Sequence, residues 1–255
     1  MLTSTFIHAP GIGAATEKRL WDRGATTWDR FLEAPDHWEL SPSRQSSLTE
    51  ALLESREALA AANHRYFAER LKPKDHWRAA EAFRGSLAYL DIETTGMGLG
   101  DQITVIGLYD GTTFHHFVSG ENLLDFLEVI DTYKVLVTFF GTGFDLPMLR
   151  RQFTGLSFPQ LHVDLCFLCR RLGLKGGLKS IEEQLGIGRS DTTTGLSGWD
   201  AVRLWWEYRH GSQPSLETLL RYNEEDVRHL ETLLAHALQG ITAHYFPDGP
   251  PEATL

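Results

Sequence analysis

No run of about eighteen consecutive apolar residues, the length a membrane-spanning helix needs, occurs anywhere in the 255 residues. Met1–Pro10 also lacks the basic start and continuous apolar stretch of a secretory signal. A soluble, cytoplasmic protein with no membrane partner is therefore expected. Cysteine is scarce: Cys166 and Cys169 are the only two, half of what a structural zinc site uses. Set in an apolar, helix-like run, they read as buried thiols. Positive charge is short as well, with 24 Lys and Arg against 34 Asp and Glu for a formal charge of −10. That deficit argues against a polybasic coat for nucleic acid but leaves room for a local basic groove beside a carboxylate cluster. No internal repeat or low-complexity linker marks a sharp boundary.

What the chain does have is enough apolar content, 42%, for one large domain with an appendage or two small ones. It is organised around Leu87-Ala88-Tyr89-Leu90-Asp91-Ile92-Glu93-Thr94-Thr95-Gly96, which reads as a strand. Side chains alternate along a strand, so Asp91 and Glu93 share a face near its end. Two carboxylates side by side repel unless a cation or a shared proton offsets them. A hard divalent metal with oxygen ligands is one answer; a strand running into an acidic turn is the other, and the decapeptide alone admits both.

The region before this strand, residues 1–82, is expected to be helical. Phe6–Gly13, followed by Thr16–Trp21 and then by a second short amphipathic piece, Thr27–Leu32, reads as helix, tight turn, helix. Gly11 and Gly13 at a helix start are a partial match to a helix-hairpin-helix element, which holds a phosphate backbone on exposed N–H groups. A glycine turn joining two packed helices is the alternative, and Glu17 stands where such elements usually carry a small residue. Apolar residues at a 3.6 period predict a helix over Ser46–Leu71, ended by Pro73. Trp77–Phe83 predicts a further short helix.

After Gly96, a glycine-bearing loop at Met97–Gly100 leads to a strand at Gln102–Tyr109 and, through an Asp110-Gly111 turn, to another at Thr112–Val118. Helix at Asn122–Ile130, strand at Val135–Phe139, helix at Leu146–Phe153 and strand at Leu161–Val163 follow. These elements predict an α/β fold, a mixed five-stranded sheet with helices on its faces, over residues 83–240. Helices are expected near Ile181–Leu185, with a Ser180/Glu183 capping box and Gly186 as the stop, at Gly198–Tyr208 and at Ser215–Leu238. Residues 241–255 read as a tail, proline-rich and loose from Phe246 on.

Three more carboxylates stand at informative places. Asp145 opens a helix after the Val135 strand, where α/β sheets gather ligands; taken alone it is equally an N-cap. Asp226 shares a face of the last helix with Tyr222, four residues earlier, although Asn223, Glu224 and Glu225 suit a solvated face. Asp164 reads as a helix cap rather than a ligand's support. The ordered set Asp91-x-Glu93, Phe144-Asp145, and Tyr222-x-x-x-Asp226 resembles the DEDD 3′–5′ exonucleases of the ribonuclease H superfamily. The branch it resembles is the tyrosine-bearing DEDDy one, and within it the YprB-like ribonuclease-H-like domain, judged also from His162-Val163-Asp164-Leu165 and Gly195–Trp205. The histidine branch would carry His where Arg221 stands.

The resemblance implies a ribonuclease-H-like fold in which Asp91, Glu93, Asp145 and Asp226 ligate two ions, Mg2+ or Mn2+, and Tyr222 orients the attacking water. The implied partner is the 3′ end of a single-stranded or frayed DNA or RNA. One departure stands out: the second motif commonly has asparagine five positions before its aspartate, and this chain has Phe140. That departure supports an alternative, an inactive nucleic-acid-binding module; a structure-specific endonuclease is a third reading. Beside the metals, the Thr94-Thr95-Gly96 turn is expected near the terminal nucleotide. Lys179, at a helix start after Gly176-Gly177, is a candidate for a backbone phosphate, or else a solvated loop lysine. Arg150 and Arg151 are weaker candidates, and Trp205 and Trp206 read as core and rim rather than a stacking surface. His115 and His116 read as structural or surface residues.

Overall fold

The computed structural model describes residues 1–96, 98, 100–247 and 249. Met97 and Leu99 of the expected loop, and most of the expected tail, lie outside the described residues. Those described fall into two compact units, one of Ser86–Phe158 with Val163–Leu238, the other of Met1–Gly85, Pro159–His162 and the described residues from Gln239 on.

The first 85 residues carry α1 (Ala14–Asp22), α2 (Trp28–Glu33), α3 (Pro42–Ala60) and α4 (His64–Arg70), with short 3-10 turns between and after them. Two expectations change here. The limb before Gly11 is a 3-10 turn at Leu2–Ser4 rather than a helix, because the N–H groups of Phe6 and Ile7 donate to the Glu17 carboxylate instead of to helical carbonyls. Glu17 is buried and also pairs with buried Arg78 at 3.0 Å, which explains an acid where a small residue was expected. The single helix expected over Ser46–Leu71 is two, broken where Ala62 adopts a left-handed φ of 49° and Asn63 accepts the Tyr66 N–H as the cap of α4.

Among the described residues one sheet of five strands forms, in the order β3-β2-β1-β4-β5: β1 (Leu87–Thr94), β2 (Ile103–Tyr109), β3 (Phe114–Val118), β4 (Val135–Thr138) and β5 (Leu161–Asp164). β1 is antiparallel to β2, β2 to β3, and β1 is parallel to β4, which is the mixed sheet expected. The Asp110 carboxylate closes the β2–β3 turn by accepting the N–H groups of Thr112 and Thr113. Helices α5 (Phe126–Ile130), α6 (Asp145–Gln152), α7 (Leu165–Arg171), α8 (Leu178–Leu185), α9 (Gly198–Arg209) and α10 (Gln213–Tyr245) complete the chain.

The alternation of β1 decides what each face receives. Ala88, Leu90 and Ile92 enter a core with Phe126, Leu146 and Leu149 from α5 and α6. The odd-numbered residues, Asp91 and Glu93 among them, are thereby left for the face that α9 and α10 cover, where Val105 and Val118 pack with Ala201, Trp205, Leu219 and Tyr222. Cys166 and Cys169 are buried free thiols on α7, raised by burial.

Helix ends differ from expectation in two places. α8 begins after Gly177, so Ser180 lies inside it and no Ser180/Glu183 box forms; Gly186 does stop it, at a left-handed φ of 69°. The capping interaction sits on α9, where the N–H and Oγ of Ser197 donate to the Asp200 carboxylate at 2.9 and 2.7 Å. α10 runs to Tyr245, past the end expected at Leu238.

Candidate metal centre

The carboxylates of β1 and α10 converge. One oxygen each from Asp91, Glu93 and Asp226 lie within 4.8 Å of one another. β1 aims Asp91 and Glu93 at the same side by its alternation, and α10 places Asp226 one turn beyond Tyr222, both buried. Asp145, the first residue of α6 and 3% exposed, stands outside that 4.8 Å group but acts on it electrostatically. Burial pushes Asp91 and Glu93 well above the usual carboxylate range, and the charges of Asp226 and Asp145 push them further. Burial likewise raises Asp145 to about 7 and Asp226 to about 6. For Asp226 the Arg189 guanidinium opposes the rise.

Sequence reasoning missed the groups that hold these acids in place. Asn223 is fully buried rather than solvated, and its Nδ2 donates to Asp91 Oδ2 at 2.9 Å. Arg189 donates to Asp226 Oδ1 at 2.5 Å and to both oxygens of Glu182 at 2.7 Å. His229 Nδ1 lies 2.9 Å from Glu182 Oε1. Glu225 holds the segment after Arg189 by accepting from Ser190 N–H. Asp164 is the cap it was read to be, accepting from Cys166 N–H. It also reaches back to accept the N–H groups of Phe140 and Thr142 at 2.9 and 3.0 Å, which sets the loop ahead of Asp145.

A cleft of about 380 Å3 opens over the acids, lined by Asp91, Glu93 and Asp226 together with Thr94, Gly96, Phe144, Trp199 and Tyr222. Burial and the three neighbouring carboxylates keep the Tyr222 phenol protonated. Lys179 belongs to α8 rather than to a loop. Its Nζ is buried without a hydrogen-bond partner and sits 4.7 Å from the centre of the Tyr222 ring. Burial lowers its pKa, against the pull of Asp226 and Glu93.

The remaining candidates divide. Thr94 Oγ1 donates to the Gly96 carbonyl at 2.6 Å, and both residues line the cleft. Thr95 turns its hydroxyl to Asp101 at 2.7 Å and is not brought to the cleft. A Cβ at Gly96 would lie 2.6 Å from Asp101 Oδ2, so any side chain there would have to displace the Asp101 carboxylate. Arg151 donates to the Asp101 carbonyl, and Arg150 lies 5.1 Å over the Phe158 ring. Trp205 is core and Trp206 rim. His115 faces Asp110 at 3.6 Å.

The donor set fits a hard divalent cation. Every converging group is a carboxylate oxygen, the acids outnumber the nearby cations Arg189 and Lys179, and burial makes their mutual repulsion costly without added positive charge.

The family model described as the RNase_H superfamily matches residues 88–238. No curated protein matches the chain. Among solved structures, the family B DNA polymerase of the hyperthermophilic archaeon Pyrobaculum calidifontis is similar at 18% identity and a TM-score of 0.46, over 63% of this chain and 24% of the polymerase. The chain thus spans about a quarter of that polymerase's length. The Aedes aegypti Nibbler EXO domain is similar at 15% identity and a TM-score of 0.44, over 67% of this chain and 86% of that domain.

Proposed function

The chain belongs to the RNase_H superfamily across residues 88–238, and from that premise we propose that it is a metal-dependent nuclease of the DEDDy, YprB-like kind, a 3′–5′ exonuclease acting on single-stranded or frayed DNA or RNA. The observation that carries the proposal is the convergence of Asp91, Glu93 and Asp226 within 4.8 Å in a cleft that also holds Tyr222. On this reading residues 83–240 are the nuclease domain and residues 1–82 a helical region preceding it.

Asp91, Glu93, Asp145 and Asp226 would hold two Mg2+ or Mn2+ ions, which when bound supply the positive charge and water activation that phosphodiester hydrolysis requires. The residues themselves do the rest. Tyr222, kept neutral, donates a hydrogen bond from its hydroxyl to the attacking water and orients it without giving up the proton. Asn223 fixes the Asp91 carboxylate by donating to one of its oxygens, and Arg189 fixes Asp226 in the same way. Lys179, with no hydrogen-bond partner of its own, offers its ammonium to a non-bridging phosphate oxygen. Thr94 and Gly96 shape the wall beside the terminal nucleotide.

Incubation with end-labelled linear and circular single-stranded DNA and RNA, with Mg2+ or Mn2+, tests this directly. Stepwise loss from the 3′ end supports the exonuclease. Cutting of circles points to an endonuclease, and binding without cleavage to an inactive module.

A further inference from the structure

Trp199 is the most exposed large apolar side chain among the described residues, at 74%, yet it is one of those that line the carboxylate cleft. Its backbone is held. It is the second residue of α9, whose start is pinned by the hydrogen bonds from Ser197 to Asp200. Ala201 and Trp205 anchor the next turn in the core. Trp205, six residues on, is 4% exposed, so the same helix buries one indole and presents another to the cleft. Leaving an indole in water forgoes burial energy that a core position would recover. Phe144 lines the cleft as well, so an acidic floor sits beside an aromatic wall.

Resting on the nuclease reading, we propose that Trp199 is the stacking surface for the unpaired terminal nucleobase of the substrate, and so a specificity-determining residue for single-stranded ends. The acidic floor takes the phosphodiester group through its cations, and the flat heterocycle is the part of the nucleotide left to meet the indole. A cleft of this volume suits a single small ligand rather than a duplex. Stacking accepts every base, because each has a π-face, so the preference is for an unpaired base and not for a sequence. In a chain with a formal charge of −10, this contact also supplies affinity that salt does not screen, unlike phosphate contacts.

The test compares the wild-type chain with Trp199→Ala, Trp199→Phe and Trp206→Ala on single-stranded oligonucleotides carrying either a normal or an abasic 3′-terminal residue. Circular dichroism and thermal melting establish that each variant folds. Trp199→Ala is expected to lower kcat/KM on the normal end by about tenfold, the scale of one lost base stack, through KM rather than kcat. The loss should persist between about 50 and 200 mM salt. Trp199→Phe should keep most of the activity, Trp206→Ala all of it, and on the abasic end Trp199→Ala should match the wild type. Wild-type cleavage with no loss in Trp199→Ala, or with the same loss on both ends, overturns the stacking role and leaves the nuclease reading standing. Failure of the wild-type chain to bind or cleave any oligonucleotide removes the nuclease reading, and the role of Trp199 with it.

Discussion

Asn223 on α10 reaches across to β1 and donates from Nδ2 to Asp91 Oδ2 at 2.9 Å. It can do so because Gly107, the β2 residue paired with Asp91, has no side chain. A Cβ at Gly107 would lie 1.8 Å from Asn223 Oδ1. The glycine in the middle of a buried strand therefore exists for a neighbour's amide, and that amide exists to aim a carboxylate.

Gly107→Ala should accordingly displace Asn223, lowering stability by about 1–3 kcal/mol through overpacking and cleavage by at least about tenfold. Adding Asn223→Ala to it should restore the stability and not the activity, since the clash is gone but Asp91 is no longer held. Urea melts and cleavage rates on the same samples check this. A Gly107→Ala chain with wild-type stability and rate would remove Asn223 from the account.

Metal binding should show in stability without any substrate. The acids have raised pKa values, Asp226 at about 6 and Asp145 at about 7. A raised carboxylate pKa contributes stability that is complete below its ordinary value and lost as pH rises through the raised one. The metal-free fold therefore weakens between about pH 4 and 7 from these groups, where divalent ions find their ligands deprotonated. Mn2+ at about a hundred times its dissociation constant contributes about 2.7 kcal/mol, a rise in Tm of about 5–10 °C for a chain of this size. That rise should be larger at pH 8 than at pH 5 and absent in an Asp91→Ala/Asp226→Ala chain. An equal rise in the double variant would place the ion elsewhere.

Asp91→Ala and Asp226→Ala should each abolish cleavage, because each removes one of the three converging oxygens. Tyr222→Phe should lower kcat with little change in substrate binding, because it removes a hydrogen-bond donor that orients water and no ligand. Single-turnover rates beside equilibrium binding separate the two effects. Full activity in either aspartate variant would sink the site assignment.

The strand, the sheet, the shared face of Asp91 and Glu93 and that of Tyr222 and Asp226 were legible in short contiguous motifs through strand parity and helical spacing, whereas the meeting of Asp226 with the β1 acids was implied only by the resemblance of the ordered motifs to the DEDD exonucleases. Residues that act across elements were not. Arg189 follows the stop of α8 with nothing local to say that it meets Asp226 on α10. Asn223 did leave a signal: Leu219, Asn223, Asp226 and Leu230 fall on one face of α10, and all four are buried. Its two glutamate neighbours in sequence masked that period. The break between α3 and α4 was silent for another reason, since the left-handed residue is Ala62 and no glycine announces it.

In the helical unit, His8 should give the fold an acid sensitivity of its own. It is 4% exposed, its Nε2 lies 2.8 Å from Ser55 Oγ, and Trp28 and Phe67 flank its ring. Burial, helped by the charge of Arg70, holds its pKa down to about 4. A depressed imidazole pKa favours the fold above the ordinary value of 6.5, and that stability is lost as pH falls toward the depressed value, up to about 3 kcal/mol. Urea midpoints at pH 7.5 and 4.5 should therefore differ less in His8→Gln than in the wild type. An unchanged difference would show that His8 does not titrate with unfolding.

On the proposed DEDD reading Phe140 takes the place of an asparagine, and the backbone there is one that suits asparagine better than phenylalanine. Its φ is 65°, in the left-handed region, where a bulky side chain costs about 1–2 kcal/mol and asparagine is tolerated. The chain accepts the strain because Asp164 holds the Phe140 N–H at 2.9 Å and because Gly143 leaves room for the ring, a Cβ there lying 2.5 Å from its tip. The ring itself is 44% exposed, so little burial is lost when it goes. Phe140→Asn should raise stability by about 1 kcal/mol, read as a higher urea midpoint with an unchanged slope, while Asp164→Ala, which releases the loop ahead of Asp145, should lower it. A destabilised Phe140→Asn chain would mean that the ring's contact with Phe167, 6.3 Å away between centroids, outweighs the backbone strain.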